Sequence, residues 1–258
     1  MSEGFLKKSF ISNDYLGYWW LLSLLAMIMP ESLNRCMKKW VLSIAVQLAE
    51  KIETEEEEQD KKKKKKLTVA IDGKEIRSTG KMKKYDSPLH IVSAQIGELG
   101  LTLAQRTVES KSNEIPAVQE LIKELEIAGC MVVADALNCQ IQTAQAIIDS
   151  KADYLLSAKG NQKELMRDIA EYVQDENLRA KMDSTTRTER GHGRKERRSA
   201  YTTDDVSWQP GGREWPSLKC IGAVHTRFER SKGVTDEWHY YISSKVLSAE
   251  ELLTSCTN

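Results

Sequence analysis

Bulk charge of one sign is what this chain most plainly lacks: over 258 residues, 38 Lys and Arg balance 38 Asp and Glu. That balance excludes attachment to nucleic acid through overall charge and leaves only local stripes to meet phosphates. Paired cysteines are missing too. The five thiols (Cys36, Cys130, Cys139, Cys220, Cys256) stand singly, with no CxxC pair and no histidine at finger-like spacing, which argues against structural zinc and a disulfide frame. Dispersed thiols fit a reducing, cytoplasmic setting. The four histidines (His90, His192, His225, His239) are equally scattered and read as strand or surface residues rather than metal ligands. An apolar run of spanning length is also absent. The uncharged stretch Tyr15 to Met29 is shorter than the ~20 residues a spanning helix needs, stops at Pro30, and is followed by no small-residue cleavage signature. It reads as a buried or misfolded helix, with a membrane-associated segment as the alternative, and no membrane partner is expected for the chain as a whole.

The length suits one sizeable α/β core with an appendage, or two small domains. Pro30 to Glu50 reads as an amphipathic helix, with Trp40, Val41, Ile44, Ala45 and Leu48 at helical spacing. The block EEEEQDKKKKKK at 55–66 is a solvated linker or, on a sharper reading, sets Lys61 to Lys66 against nucleic-acid phosphates. From residue 67 the pattern alternates. Strands are expected at Leu67 to Ile71, His90 to Gln95 and Leu101 to Val108, the last two joined by a turn at Glu98 to Gly100. A helix at Pro116 to Ala128, a strand at Met131 to Ala134 and a helix at Gln140 to Ser150 follow. Then come a strand at Tyr154 to Ser157 and a helix at Gln162 to Val173. Past residue 180 a basic stretch, Arg187 to Arg198, leads into β-like runs at Arg198 to Thr203, Leu218 to Arg227 and Trp238 to Ser243, with turns at Pro210 to Gly212 and Lys232-Gly233. Ser248 with Glu251 three residues on is a capping box that opens a final helix.

Two places carry the chemistry. In LTVAIDGKEIRSTG, residues 67–80, a short apolar run delivers Asp72 into a polar, glycine-containing turn, and in CMVVADALNCQ the run Met131 to Ala134 ends at Asp135. Two β-branched strands each ending in Asp are what a two-metal phosphoryl-transfer site asks of a mixed sheet. Three strands, then helix, strand, helix, strand, helix, is the order of the ribonuclease-H-like fold. The expected architecture is therefore α/β: a ribonuclease-H-like mixed five-stranded sheet with helices, a β-rich antiparallel insertion and an N-terminal helical segment. Boundaries are expected at 1–54 (helical segment), 55–66 (charged linker), 67–180 (core), 181–246 (β-rich insertion) and 247–258 (start of a C-terminal helix).

At this point the chain resembles a known group, the H-repeat-associated branch of bacterial insertion-sequence transposases with DDE chemistry. The resemblance rests on AIDGKEIRST at 70–79, HIVSAQIGELGLTLAQRTVESKSNEIPAVQELIKELEIAGCMVVADALNCQ at 90–140, ADYLLSAKGNQ at 152–162, GHGRKERR at 191–198, WPSLKCIGAV at 215–224 and YYISS at 240–244. PESLNRCMKKW at 30–40 is similar to the end of the small helical domain that precedes the core in this family. The resemblance implies that Asp72 and Asp135 are the first two catalytic, metal-binding acids, serving Mg2+ (or Mn2+) in DNA cleavage and strand transfer. It places the third acid, a Glu, in a helix after the β insertion within an HW-x-IEN-type motif that this sequence does not contain. It therefore implies a copy truncated at the C-terminus with little or no activity, acting on double-stranded DNA of the element ends as a homo-oligomer.

Lys74 and Arg77 follow Asp72, and Lys159, Asn161 and Gln162 follow the fifth strand at the same sheet end, where ligands of open α/β sheets usually sit. Phosphate contact and plain surface solvation are both open for them. Arg187, Arg190, Arg194, Lys195, Arg197 and Arg198 form the strongest basic cluster, suited to DNA backbone contact without sequence readout or to a solvated loop. Glu196, in a basic turn, is the one substitute for the third acid, against a structural pairing with Arg194 or Arg198. Three classes of function compete: a DDE transposase relative, a non-catalytic DNA-binding remnant that interferes with intact transposase, and a membrane-associated or unstable chain without function.

Overall fold

The computed structural model describes residues 67–76, 88–97, 100–108, 114–191, 194–208, 211, 214–230 and 233–256, together with Cys36, Lys39, Trp40 and Ser43 upstream. The chain divides into two compact units, Met1–Ile44 and Ala45–Asn258. In the first unit the four described residues are helical; Ser43 Oγ donates to the Trp40 carbonyl at 2.8 Å, and the Trp40 ring is exposed. The apolar run Tyr15 to Met29, most of the helix expected at Pro30 to Glu50, and the charged block at 55–66 lie outside the described residues. Among the described residues no helix is long and apolar enough to cross a membrane.

The second unit is built on one nine-stranded sheet of order β3-β2-β1-β4-β5-β9-β8-β7-β6. Its strands are β1 (Thr68–Ile76), β2 (Leu89–Ile96), β3 (Leu101–Val108), β4 (Met131–Ala134), β5 (Asp153–Ala158), β6 (Asp183–Gly191), β7 (Arg194–Thr203), β8 (Cys220–Arg230) and β9 (Gly233–Ser243). β1, β2 and β3 pair antiparallel, whereas β4 runs parallel to β1 and β5 parallel to β4. This is the ribonuclease-H-like mixed arrangement expected from the element order. β9 then pairs antiparallel with β5, so the β-rich region continues the same sheet instead of standing apart from it.

Three sequence expectations need correction. β1 does not stop at Ile71: its ladder with β2 runs on through Asp72↔Ser93, Gly73↔Val92 and Lys74↔Ile91 to Ile76↔Leu89, so Asp72 and Lys74 are strand residues and not turn residues. The antiparallel partner satisfies the backbone of this polar segment, which period-two hydrophobicity alone did not reveal. The basic stretch Arg187 to Arg198 is no loop but the tip of the β6–β7 hairpin, in full register from Asp183↔Thr202 to Gly191↔Arg194. β6 is an edge strand, and charged side chains along an edge obscure its strand character while guarding it against stray pairing. The first helix, α1 (Glu114–Glu124), ends before Ala128 because the Leu125 N–H turns back to the Ile122 carbonyl and the Cys130 N–H takes that of Ile127. Gly129 then adopts φ +80, a left-handed conformation that favours glycine.

The remaining helices are α2 (Ile141–Asp149), α3 (Lys163–Gln174), α4 (Glu176–Arg179) and α5 (Ala249–Ser255). Alternation along the strands defines two faces. Val69 and Ile71 of β1, Val92, Ala94 and Ile96 of β2, and Tyr154, Leu156 and Ala158 of β5 are buried on one face. The start of α1 lies there, since a Cβ on Gly73 would meet the Glu114 carboxyl. The opposite face carries Asp72 and is called here the acid face. Over β8, β7 and β6 it is covered by α5, whose Leu252 and Leu253 belong to one buried cluster with Met131, Leu155, Ala200, Cys220 and Val224. The capping box read from Ser248 and Glu251 is formed in full: Ser248 Oγ accepts from the Glu251 N–H and the Glu251 carboxylate from the Ser248 N–H.

Candidate active site

Register decides where the two acids lie. In the parallel ladder of β1 with β4, Ala70 stands beside Val133 and Ile71 beside Ala134. Side chains alternate with period two, so Asp72, within β1, and Asp135, just past the end of β4, each two residues on from Ala70 and Val133, project from the same face of neighbouring strands, which lie about 4.8 Å apart. Both residues are exposed. Behind Asp72, Ser93 Oγ donates to its carbonyl at 3.5 Å, and Gln95 Nε2 donates to Ser93 Oγ at 3.4 Å.

Asp135 terminates β4 and caps the 3-10 turn Ala136–Asn138. Its Oδ1 accepts from the Asn138 backbone N–H at 3.3 Å and from Asn138 Nδ2 at 3.0 Å. Asn138 is fully buried, so this double contact fixes the carboxylate against a rigid wall. Sequence reasoning missed Asn138; the signal for it was the Asp-x-x-Asn spacing of an N-cap. Burial, followed by the nearby Asp135 charge, pushes the Cys139 thiol up to about 12, so a neutral thiol stands beside the acid. Burial also raises Tyr154, whose hydroxyl donates to the Pro216 carbonyl.

Next along the rim, Lys159 follows β5 and leads into the 3-10 turn Gly160–Gln162. Asn161 and Gln162, expected to touch phosphate, direct their amides at the neighbouring turn: Asn161 Nδ2 donates to the Ala136 carbonyl, and Gln162 Nε2 to the Cys139 carbonyl at 3.0 Å. Lys74 lies two residues beyond Asp72 on the acid face and is exposed. Arg77 and the Arg194 side chain lie outside the described residues.

The basic cluster is split by strand alternation. Arg187 and Arg198 share the acid face and are engaged, Arg187 with Glu250 at 2.6 Å and Arg198 with Glu196 at 2.5 Å. Arg190, Lys195 and Arg197 fall on the other face, where Lys195 meets Glu229 at 3.3 Å and Arg197 is exposed. Glu196 is buried on β7. Since β5, β9 and β8 intervene between β4 and β7, about 19 Å of sheet separates it from Asp135. It therefore cannot complete a metal site with Asp135, and its role is the pairing with Arg198. A cavity of about 330 Å³ opens on the acid face between Lys159 and this pair, lined also by Ser157, His239 and Cys256.

Two carboxylates on one face of neighbouring strands offer hard oxygen donors of the kind Mg2+ takes, since that ion is commonly held by one or two carboxylates with water and substrate phosphate. Among the described residues no three His, Cys, Asp or Glu are grouped to hold a metal ion. At this rim the oxygens that could meet such an ion are those of Asp72 and Asp135, with other positions left to water or phosphate oxygens.

Residues 63–254 match the family model described as "Transposase DDE domain". The chain is 37% identical over 191 residues to "Putative transposase YncI" of Escherichia coli O157:H7, covering 71% of this chain and 48% of that protein. It is 32% identical over 201 residues to "H repeat-associated putative transposase YhhI" of Escherichia coli K12, covering 74% and 52%. An "Uncharacterized protein in dhlA 3'region" of Xanthobacter autotrophicus is 32% identical over 176 residues, covering 68% and 59%. The chain spans about half the length of the curated relatives it matches. The match over residues 63–254, about three quarters of the sequence, shows that the chain belongs to the DDE transposase family.

Proposed function

We propose that this chain carries the two-aspartate part of a DDE centre for DNA, in which Asp72 and Asp135 hold Mg2+ (or Mn2+) and basic side chains receive the phosphodiester backbone. The observation that supports it most is the shared face of Asp72 and Asp135, one residue beyond the Ile71–Ala134 pair. A divalent cation in such a site supplies Lewis-acid stabilisation of the charge that develops on phosphate oxygens. Lys74 and Lys159 flank the acids and attract phosphate, while Asn138 keeps the Asp135 carboxylate aimed. Arg77, Arg194, Lys195 and Arg197 complete the candidate DNA contacts, with duplex element ends as substrate, a homo-oligomer as the working form and the cytoplasm as its location. Among the described residues no third His, Cys, Asp or Glu joins these two acids; a site held by two carboxylates alone stabilises the transition state less, and strand cleavage by it is slow or absent.

The test is Mn2+ binding followed by calorimetry and electron paramagnetic resonance, together with Mg2+-dependent nicking of terminal-repeat duplexes. Saturable Mn2+ binding that disappears in both Asp72→Asn and Asp135→Asn supports the reading. Mn2+ binding indifferent to both substitutions refutes it. The second reading, a DNA-binding remnant that competes with intact transposase, is favoured by the exposed Arg190 and Arg197 on the hairpin. It predicts salt-sensitive duplex binding that survives loss of both aspartates.

A further inference from the structure

Asn161 and Gln162 extend from the turn after β5 across to the turn after β4. Asn161 Nδ2 donates to the carbonyl of Ala136, the first residue of the Asp135-capped turn, and Gln162 Nε2 donates to the carbonyl of Cys139, the residue that closes it. Gln162 Nε2 lies 3.4 Å from Gln140 Oε1 as well. The two ends of one three-residue turn are thus held by consecutive carboxamides from the turn that follows the adjacent strand. Between these ends lies Asn138, buried, with both its backbone and side-chain N–H groups on Asp135 Oδ1.

We infer that Asn161 and Gln162 form a clamp that sets the aim of the Asp135 carboxylate, acting as positioning residues through the 136–139 turn and not as contacts to DNA. The inference rests on the metal-site reading of Asp135 given above. Its physical basis is direct. A 3-10 turn has poorer hydrogen-bond geometry than an α-helix and needs external partners for its carbonyls. A carboxylate that must meet a metal needs an anchored support, because loosened outer partners commonly cost tenfold or more in affinity. Gln162 Nε2 spends both of its N–H groups, on the Cys139 carbonyl and Gln140 Oε1, and Asn161 Nδ2 spends one of its two on the Ala136 carbonyl, which leaves one N–H between them for a phosphate. Both residues sit at the surface end of β5, so their replacement does not open the core.

The experiment uses the full chain with Asn161→Asp, Asn161→Ala and Gln162→Ala, Mn2+ as the metal probe and amide hydrogen exchange as a second readout. All three variants are expected to exchange the Asn138 and Cys139 amides faster and to bind Mn2+ about tenfold more weakly. Retention on duplex DNA in metal-free buffer is expected to stay at the wild-type level. Asn161→Asp keeps the size and the acceptor but loses the donor, so its agreement with Asn161→Ala assigns the effect to the hydrogen bond. Weakened DNA retention with Mn2+ affinity unchanged would overturn the inference in favour of direct phosphate contact, as would unchanged exchange at 138 and 139. Should the wild-type chain bind no Mn2+ through Asp72 and Asp135, the metal reading falls by itself. The exchange rates then decide the clamp alone: faster exchange upholds it, and unchanged exchange removes it.

Discussion

Asp72 and Asp135 follow directly on the Ile71–Ala134 pair, the last of the parallel ladder between β1 and β4, and so leave neighbouring strands on one face. The two carboxylates differ in local duty. Asp135 also caps a turn through Oδ1, whereas Asp72 sits within a paired strand whose backbone is satisfied by β2. That difference separates the structural cost of a substitution from its cost in metal binding.

Asp135→Asn retains an oxygen able to accept from Asn138 but removes the charge, and Asp135→Ala removes both. In EDTA the alanine variant should lose about 1 kcal/mol relative to wild type, the usual worth of an N-cap, with the asparagine variant close to wild type. Adding Mg2+ should raise the wild-type melting temperature by linkage, since a ligand at 100 times its Kd adds about 2.7 kcal/mol. Neither Asp135 variant nor Asp72→Asn should respond. Thermal melts with and without Mg2+ check both halves, and a full Mg2+ response in Asp135→Asn would remove that residue from the ligand set.

Gly73 lies on the reverse side of β1 from Asp72, and a Cβ built there would run into the Glu114 carboxyl. Glu114 is buried at the start of α1, so its carboxyl cannot swing into solvent without leaving its site. Gly73→Ala should therefore destabilise the chain by about 1–3 kcal/mol, as overpacking does. In a Glu114→Ala background the same substitution should cost much less. Urea unfolding of the four-member cycle measures the coupling.

How far this was legible depended on whether a partner had to be known. β3 and β4 were read with the bounds the structure gives, because β-branched and apolar runs there are closed by turn residues such as Gly100 and Gly129, both at positive φ. The polar half of β1 and all of the edge strand β6 were not, since their strand state comes from pairing with β2 and β7 and not from their own hydrophobic pattern. Asp72 and Asp135 were legible as two acids following apolar runs, although Asp72 lies within β1 and not at its end. The clamp was not: Asn161 and Gln162 engage the backbone carbonyls of Ala136 and Cys139, and a carbonyl leaves no mark in a sequence.

Cys139 ties alkaline stability to this site. Its thiol ionises near 9 when unfolded and is pushed up to about 12 in the fold, chiefly by burial and next by the Asp135 charge. Because the folded value is the higher one, the unfolded chain releases this proton first. The contribution is complete below pH 9 and is lost as the pH rises from there towards 12, at a limiting slope of about 1.4 kcal/mol per pH unit. Unfolding free energies measured from pH 8 to 10.5 should decline more steeply for wild type than for Cys139→Ala. Parallel curves would show that the thiol does not titrate differently in the two states.

The docking of α5 onto the acid face rests on a close approach at Gly222. A Cβ there would stand 2.6 Å from Leu252 Cδ2 and 3.2 Å from the Tyr201 carbonyl, so strand β8 admits the helix only without a side chain at this point. Leu253 beside it is fully buried and lines the cavity that also contains Lys159 and Arg198. Gly222→Ala should cost about 1–3 kcal/mol by forcing Leu252 off its seat, and Leu253→Ala about 2–5 kcal/mol by leaving a void. The two effects should be sub-additive, because a helix already displaced by one change has less contact to lose through the other. Hydrogen exchange at 251–256 should accelerate in both variants while exchange along β1 and β4 stays slow. Strict additivity with uniform acceleration over the whole sheet would mean that α5 is not a separable cover for this face.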